Sequence, residues 1–416
     1  MELRDVRFLE GLKASLENRR VDWKEDISPQ EIMELIQMSD IHNVVPMIYE
    51  AIYELPVMGK LHSGLAIQLR RGVIQSIAMQ AMKTEEFQQL YTQLCEDGLK
   101  PCVVKGIICR NLYPNPDARM SWDEDILIPW DSFPQAHAAM LSHDMVLSDP
   151  KVNLEQDYEI PYGKMGSPIY IELHKSLFPP KSEAYGNLND FFKDIHDRLV
   201  TEEIQGTTFY TMNPTDHLFY LICHSFKHFL HSGFGLRQVC DINLYANAYG
   251  SQIKWDEVLE KCQEIRADLF AASMFRIGEK YLTFNPEKAC YPEEWSSIEV
   301  DENAMLEDLL ESGVYGQSDM SRKHSSNITL NAVIADKRGK KAKAGIASSI
   351  FLPVRSLEGR FPYLKKYPFL LPFAWVQRIW IYRKETAKNQ SGNNAAESIK
   401  IGNQRVELMK IYGIIK

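Results

Sequence analysis

Asp123-Glu124-Asp125-Ile126-Leu127-Ile128-Pro129 enters a short apolar run through two carboxylates and leaves it at a proline. So brief a run, bounded by turn-forming residues, reads as a β-strand. Side chains on a strand alternate between faces, so Asp123 and Asp125 share one face and Glu124 takes the other. Two carboxylates side by side raise each other's pKa unless a cation lies between them, which makes the pair a candidate Mg²⁺ site. Asp-x-Asp is also common on solvated surfaces, so the pair gains meaning only from what surrounds it.

Upstream, Val103-Val104-Lys105-Gly106-Ile107-Ile108 reads as strand, turn and helix. That order sets a cation and exposed backbone N–H groups at a helix N-terminus, an arrangement that suits a phosphate; the bland alternative is a turn with a solvated lysine. Downstream, Ile169-Tyr170-Ile171-Glu172-Leu173 is another strand, from which Glu172 supplies a third carboxylate. His174, two residues further on, shares its face, either as a ligand-facing group or as a hydrogen-bonded structural histidine. Pro101 to Val104 and Met145-Val146-Leu147 read as further strands, and Glu159 to Gly166 as a hairpin leading into the last one.

On either side of this region the period becomes helical. Ile32, Leu35 and Ile36 recur at helical spacing, and Ala66 to Cys95 is a long proline-free stretch. Beyond Pro214 the helical period returns, with Asp216 expected to cap a helix through Phe229 and Gly233-Phe234-Gly235 to end it. The expected organisation is a helical region over 1–97, a core over 98–212, a helical domain over 213–315, a mobile linker over 316–346 and a basic, aromatic segment over 347–416. The fold class is α+β, a small mixed β-sheet flanked by N-terminal and C-terminal helical regions. No repeat of solenoid length is found.

Of the 416 residues 45% are hydrophobic and 25% charged, enough for more than one globular core. Seven cysteines form no Cys-x-x-Cys pair, which points to reduced thiols and a cytoplasmic location. The N-terminus lacks the apolar region of a secretory signal. No apolar run reaches the roughly 18 to 20 residues of a transmembrane segment, so a soluble protein is expected. The net charge of −9 hides a polarity, because residues 321–416 carry about +14 and the remainder about −23. Such a tail suits nucleic acid or an anionic membrane face, or simply neutralises the acidic body. An acidic body argues against long nucleic acid as a partner. The run from Phe369 to Tyr382, flanked by Lys365, Lys366, Arg383 and Lys384, could lie on a membrane surface or dock a partner; packing on its own domain is the bland expectation. His217, His224, His228 and His231 fall on one helical face, where zinc would lack a further ligand apart from a distant Asp241. Lining a cleft or packing on the sheet is the simpler role for that row.

Val104-Lys105-Gly106, Leu112-Tyr113-Pro114, Arg119 ahead of Asp123-x-Asp125-Ile126-Leu127-Ile128, and Ile171-Glu172-Leu173-His174 together resemble the bacterial family of uncharacterised nucleotidyltransferases in the polymerase-β-like superfamily. Leu236-Arg237-Gln238-Val239-Cys240-Asp241-Ile242 and Ile41-His42-Asn43-Val44-Val45-Pro46 are similar to that family too, and the segment from 353 to 383 more loosely. The resemblance implies that residues 98–212 form a catalytic core. It implies Mg²⁺, or Mn²⁺ in its place, held by Asp123, Asp125 and Glu172. A nucleoside monophosphate would pass from a nucleoside triphosphate such as ATP to an unidentified acceptor hydroxyl on a small molecule, a protein or an RNA end. Lys105 and Gly106 would meet the phosphates, Arg119 the transition-state charge, and His174 the acceptor or a phosphate.

Two departures stand out. Lys105-Gly106 takes the place of the superfamily's usual Gly-Ser or Gly-Gly, and Glu124 that of an apolar residue, so a buried Glu124 would need a cationic partner. They keep a second expectation open, that of a catalytically inactive domain serving as a nucleotide-sensing or protein-interaction module.

Overall fold

Residues 1–23, 27–313, 320–339, 354–357, 361–388 and 395–416 are described by the computed structural model. Seven strands form one mixed sheet: β1 (Cys102–Val104), β2 (Glu124–Leu127), β3 (Met145–Leu147), β4 (Glu159–Lys164), β5 (Tyr170–His174), β6 (Leu199–Ile204) and β7 (Thr207–Met212). Their order is β3-β4-β5-β2-β1-β7-β6. The class is therefore α+β, as expected. Every residue of β1 and β2 is buried, so the two strands read as continuous apolar runs apart from the acidic entry to β2. Parallel pairing of β2 with β5 sets Asp125 opposite Glu172, and antiparallel pairing with β1 sets Asp125 opposite Val104.

The sheet extends further than the apolar runs foretell. The β6–β7 hairpin turns on Gln205 and Gly206, both at positive φ (51° and 84°), the backbone that a two-residue hairpin loop requires. The expected hairpin over 159–166 is instead one arm, β4, whose partner is β5.

Four helices precede the sheet: α1 (Leu3–Leu16), α2 (Pro29–Ile41), α3 (Val45–Ile52) and α4 (Ser63–Glu96). Ser28 and Glu31 close a reciprocal capping box on α2, and Pro29 occupies the first position, where its missing N–H costs nothing. Within the sheet run α5 (Gly106–Arg110) and α6 (Phe133–Ser142), followed by α7 (Pro214–His231), α8 (Leu236–Tyr249), α9 (Trp255–Glu264), α10 (Asp268–Tyr281), α11 (Glu293–Ser296) and α12 (Glu302–Ser312). The cap of α7 is Asn213 rather than Asp216: its side chain accepts the Asp216 N–H at 3.1 Å. Asp216, one turn in, is left to pair with Arg198 at 3.0 Å and Lys261 at 3.2 Å.

Where a linker is expected, Met320–Lys337 form an 18-residue helix, α13, and Ala395–Ile411 form a helix lying along it. Between them are α14 (Val354–Leu357), α15 (Tyr363–Lys366) and α16 (Leu371–Lys388), which makes the last helix α17. The linker expected over 316–346 is not what residues 320–339 form, and 316–319 and 340–346 lie outside the described residues; the buried positions of α13 are mixed, Arg322, Ser325, Ser326 and Thr329 beside Ala332 and Val333. Arg322 and Thr329 serve the C-terminus of α7, whose last carbonyls no intrahelical N–H can reach. Arg322 donates to Ser232 O at 2.9 Å and Thr329 Oγ1 to His231 O at 3.0 Å. From α17, Arg405 donates to His231 O at 3.0 Å and to Phe229 O. Both arginines pair with Asp308 of α12. Part of the basic tail is thus built into the body of the fold. Helices α14 to α16 gather around a small cluster of their own, Leu357, Phe361, Leu364 and Ala374. Among the described residues no helix is long and apolar enough to cross a membrane.

His42, at the end of α2, is buried against Phe8 and hydrogen-bonds Leu310 O at 3.3 Å. Burial pushes its pKa down to about 4, with the Leu310 bond opposing. In the unfolded chain histidine titrates near ~6.5, so the unfolded state binds the extra proton first. Stability supplied by His42 is therefore present above that pH and is lost as pH falls toward about 4, by roughly 1.4 kcal/mol per unit. Urea melts between neutral and acid pH should show a shallower pH slope for His42→Gln than for the wild type; equal slopes would contradict this assignment.

Candidate active site

Strand alternation sends Glu124 into the protein and Asp123 and Asp125 toward a cleft. Glu124 is fully buried and has the cationic partner its burial demands: Arg110 Nη1 lies 2.8 Å from Oε1. Oε2 accepts the Ile107 N–H at 2.9 Å. Gly106 makes this possible, because a Cβ there would sit 2.1 Å from Glu124 Oε2, and its φ is +36°. Two of the N–H groups at the start of α5 already have partners. Glu124 takes that of Ile107, and the Lys105 N–H donates to His217 Nε2 at 3.2 Å.

The Lys105 side chain points to the acidic face instead. Lys105 has a φ of 54°, unusual for a residue with a Cβ, and its ammonium stands 2.8 Å from Asp125 Oδ2 and 3.1 Å from His224 Nε2. The other Asp125 oxygen is 2.9 Å from His174 Nε2. That nitrogen is 3.6 Å from Glu172, and His174 Nδ1 is 3.8 Å from Glu159. Burial alone would raise the Asp125 pKa, but the Lys105 charge and the His174 hydrogen bond hold it well below the usual carboxylate range. Asp123 moves the opposite way, up, through burial and the neighbouring Asp125 charge. Burial opposes the His174 charge, yet its bonds to Asp125 and Glu172 prevail and push its pKa up to about 9.

Asp125, Glu172 and His174 offer ligand atoms that all lie within 4.8 Å of one another, a group that could hold a metal ion. The donor set fits: carboxylate oxygens with one imidazole, and a buried His174 Nδ1 that has no hydrogen-bond partner. Asp123 stands beside this group rather than in it, on a cleft that it shares with Lys105, Gly106, Arg119, Asp125 and Arg237.

Arg119 reaches the cleft wall, but its guanidinium is engaged by Asp241, at 2.8 Å and 2.5 Å, and Asp241 also accepts the Tyr113 hydroxyl at 2.7 Å. Three further residues belong to the site, of which Arg237 lies in the Leu236–Ile242 motif and Glu159 and Lys227 carry no functional signal in the sequence. Arg237 lines the cleft, bonds Met120 O, and keeps a buried Nε without a hydrogen-bond partner. Glu159 sits opposite His174 across β4 and β5. Lys227, on α7 between His224 and His228, has its pKa lowered by burial and by Lys105, while Glu159, Asp125 and Glu172 act to raise it.

The histidine row of α7 packs against the sheet. His217 contacts Thr211 at 3.3 Å as well as the Lys105 N–H, and His224 lies 3.3 Å from His228. Burial and the Lys105 charge hold His224 neutral, and burial holds His228 neutral as well. Among the described residues this row does not form a metal group.

A family model described as an uncharacterised nucleotidyltransferase matches residues 28–283, more than half of the chain. No curated protein and no solved structure matches. The chain belongs to that nucleotidyltransferase family.

If Glu124 fastens the turn that carries Lys105, then Gly106→Ala, with its close approach and positive φ, should cost about 2–4 kcal/mol in urea unfolding. Gly72→Ala is the control. It lies inside α4 with nothing near its added methyl, and should stabilise by roughly 0.5–1 kcal/mol. Similar effects at both positions would remove Glu124 from this role.

Proposed function

We propose that this member of the nucleotidyltransferase family moves a nucleoside monophosphate from a nucleoside triphosphate to an acceptor hydroxyl. The acceptor oxygen forms a bond to the α-phosphorus, the bond from that phosphorus to the bridging oxygen breaks, and pyrophosphate leaves. What carries the reading is the pairing of Asp125 with Glu172 in register on adjacent strands, beside a cleft lined by Asp123, Lys105 and Arg237.

Asp123, Asp125 and Glu172, with His174 adjoining, would hold Mg²⁺, or Mn²⁺ in its place. When bound, the ion supplies charge neutralisation for the phosphates and a lower pKa for the acceptor hydroxyl. Glu172, whose side chain is 23% exposed against 3% for Asp125, is the accessible carboxylate and takes the acceptor proton. The Lys105 ammonium, at the end of a flexible stem, shifts from Asp125 to the β- and γ-phosphates. His174 donates to Asp125 and orients it, and Gly106 admits the close turn that brings Lys105 there. Transition-state charge falls to Arg237, since the Arg119 fork is engaged by Asp241; Arg119 is a positioning residue for the cleft wall. The acceptor is a small molecule, a protein or an RNA end. All seven cysteines are free thiols, which fits a cytoplasmic location.

Titration with each of the four ribonucleoside triphosphates, with and without Mg²⁺, tests this without knowledge of the acceptor. One of them should bind in a Mg²⁺-dependent way, and Asp123→Asn with Asp125→Asn should weaken that binding by about tenfold or more, some 1.4 kcal/mol. Absence of binding by any triphosphate in the presence of Mg²⁺ sinks the proposal. Binding that depends on neither Mg²⁺ nor the aspartates favours a nucleotide-sensing module instead.

A further inference from the structure

Beyond the nucleotidyl site, and independent of it, the C-terminal helices carry a second surface. We propose that residues 361–388 form a peripheral membrane-binding element whose occupant is the face of an anionic phospholipid bilayer.

Helix α16 has two unlike sides. Ala374 is fully buried in the small cluster with Leu357, Phe361 and Leu364, and Gln377 accepts a hydrogen bond from the Tyr363 hydroxyl at 3.0 Å, so one side of α16 is anchored. The other side presents Phe373, Val376 and Trp380, exposed by 61%, 64% and 63%, and Phe369, exposed by 75%, extends the row from the 3-10 turn Pro368–Leu370 that leads into the helix. The spacing of three and four residues from Phe373 to Trp380 is that of a single helical stripe. The expectation that this stripe packs on its own domain thus holds for the anchored side only.

Charge selects the occupant. Residues 361–388 contain Lys365, Lys366, Arg378, Arg383, Lys384 and Lys388 against a single carboxylate, Glu385, in a chain whose net charge is −9. Lys365 and Lys366 are exposed just ahead of the stripe, and Arg383 and Lys384 come in the turn that follows it. An apolar row bracketed by cations suits insertion at the boundary of acyl chains and headgroups, with aromatic rings at that level and basic groups on anionic lipid. A second copy fits poorly: two stripes packed face to face would bring the like-charged ends together, with one acid per copy, Glu385, against six basic residues. Single-stranded nucleic acid would call for cations interleaved with the aromatics along a track, rather than set at its ends. Crossing the bilayer is not involved.

Flotation of the full-length chain with vesicles of phosphatidylcholine alone, or of phosphatidylcholine mixed with phosphatidylserine, tests the proposal. The chain should float with the mixed vesicles and far less with phosphatidylcholine alone. Phe373→Ser with Trp380→Ser removes exposed side chains only, so the melting temperature should hold while partition to mixed vesicles falls by about tenfold or more. Lys365→Glu with Lys366→Glu should weaken binding several-fold, and added salt should weaken the wild type in the same sense. Failure to float with the mixed vesicles overturns the proposal. So does flotation undiminished by the Phe373 and Trp380 substitutions, or a wild-type dimer that those substitutions dissolve in the absence of vesicle binding.

Discussion

A carboxylate with no solvent contact, Glu124, tied to Arg110 at 2.8 Å and to the Ile107 N–H at 2.9 Å, couples the turn after β1 to strand β2. A buried pair of this kind adds little net stability, since the desolvation of both ions offsets their attraction. Its consequence is geometric. Removing either partner strands a charge, so alternative packings of turn and strand are disfavoured by several kcal/mol, and the arrangement that satisfies Glu124 is the one that survives. Gly106 follows from it, because no side chain fits beside that carboxylate. Lys105 follows in turn, held at positive φ with its ammonium on Asp125. The residue that departs from the superfamily's usual apolar choice is therefore a structural anchor of the acidic face, and it supplies no argument for an inactive domain.

On the acidic face itself, four carboxylates crowd together: Asp123, Asp125, Glu172 and Glu159. Their mutual repulsion is answered by the Lys105 ammonium and by His174, which its carboxylate neighbours keep protonated. The histidines of α7 play the complementary part. Burial holds His217 and His224 neutral, so that each can present a lone pair, His217 to the Lys105 N–H and His224 to its ammonium. A charged imidazole at either position would repel Lys105 from its place. The helix that carries these histidines must then be held firmly against the sheet.

That requirement explains the fate of the basic tail. The C-terminal carbonyls of α7 point into the protein, where unsatisfied oxygens are costly, and water is replaced there by Arg322, Thr329 and Arg405. Two positive groups at a helix C-terminus also oppose its partial negative charge favourably. Asp308 completes the cluster by neutralising the arginines in common. The charge polarity of the chain, acidic body and basic tail, is in this part resolved by folding one onto the other.

How far such features can be read in advance depends on whether they are local. The shared face of Asp123 and Asp125, and the strand placing of Glu172, follow from alternation along a few residues, and the need of Glu124 for a cation follows from burial energetics alone. The β6–β7 hairpin is equally local, its Gln205-Gly206 turn lying between alternating β-formers, yet it carries no conspicuous apolar run to mark it. Helix α13 is a different case: two of its buried side chains, Arg322 and Thr329, bond to carbonyls of α7 about a hundred residues away, and such polar contacts interrupt the apolar period that Ala332 and Val333 belong to. Glu159, Lys227 and Arg237 likewise acquire their place only through the packing of β4, α7 and α8 around the cleft. Pattern reveals which way a side chain faces, since that is a property of its own element. What it meets there belongs to another element, which is why Arg119 lines the cleft and nonetheless has its guanidinium engaged by Asp241.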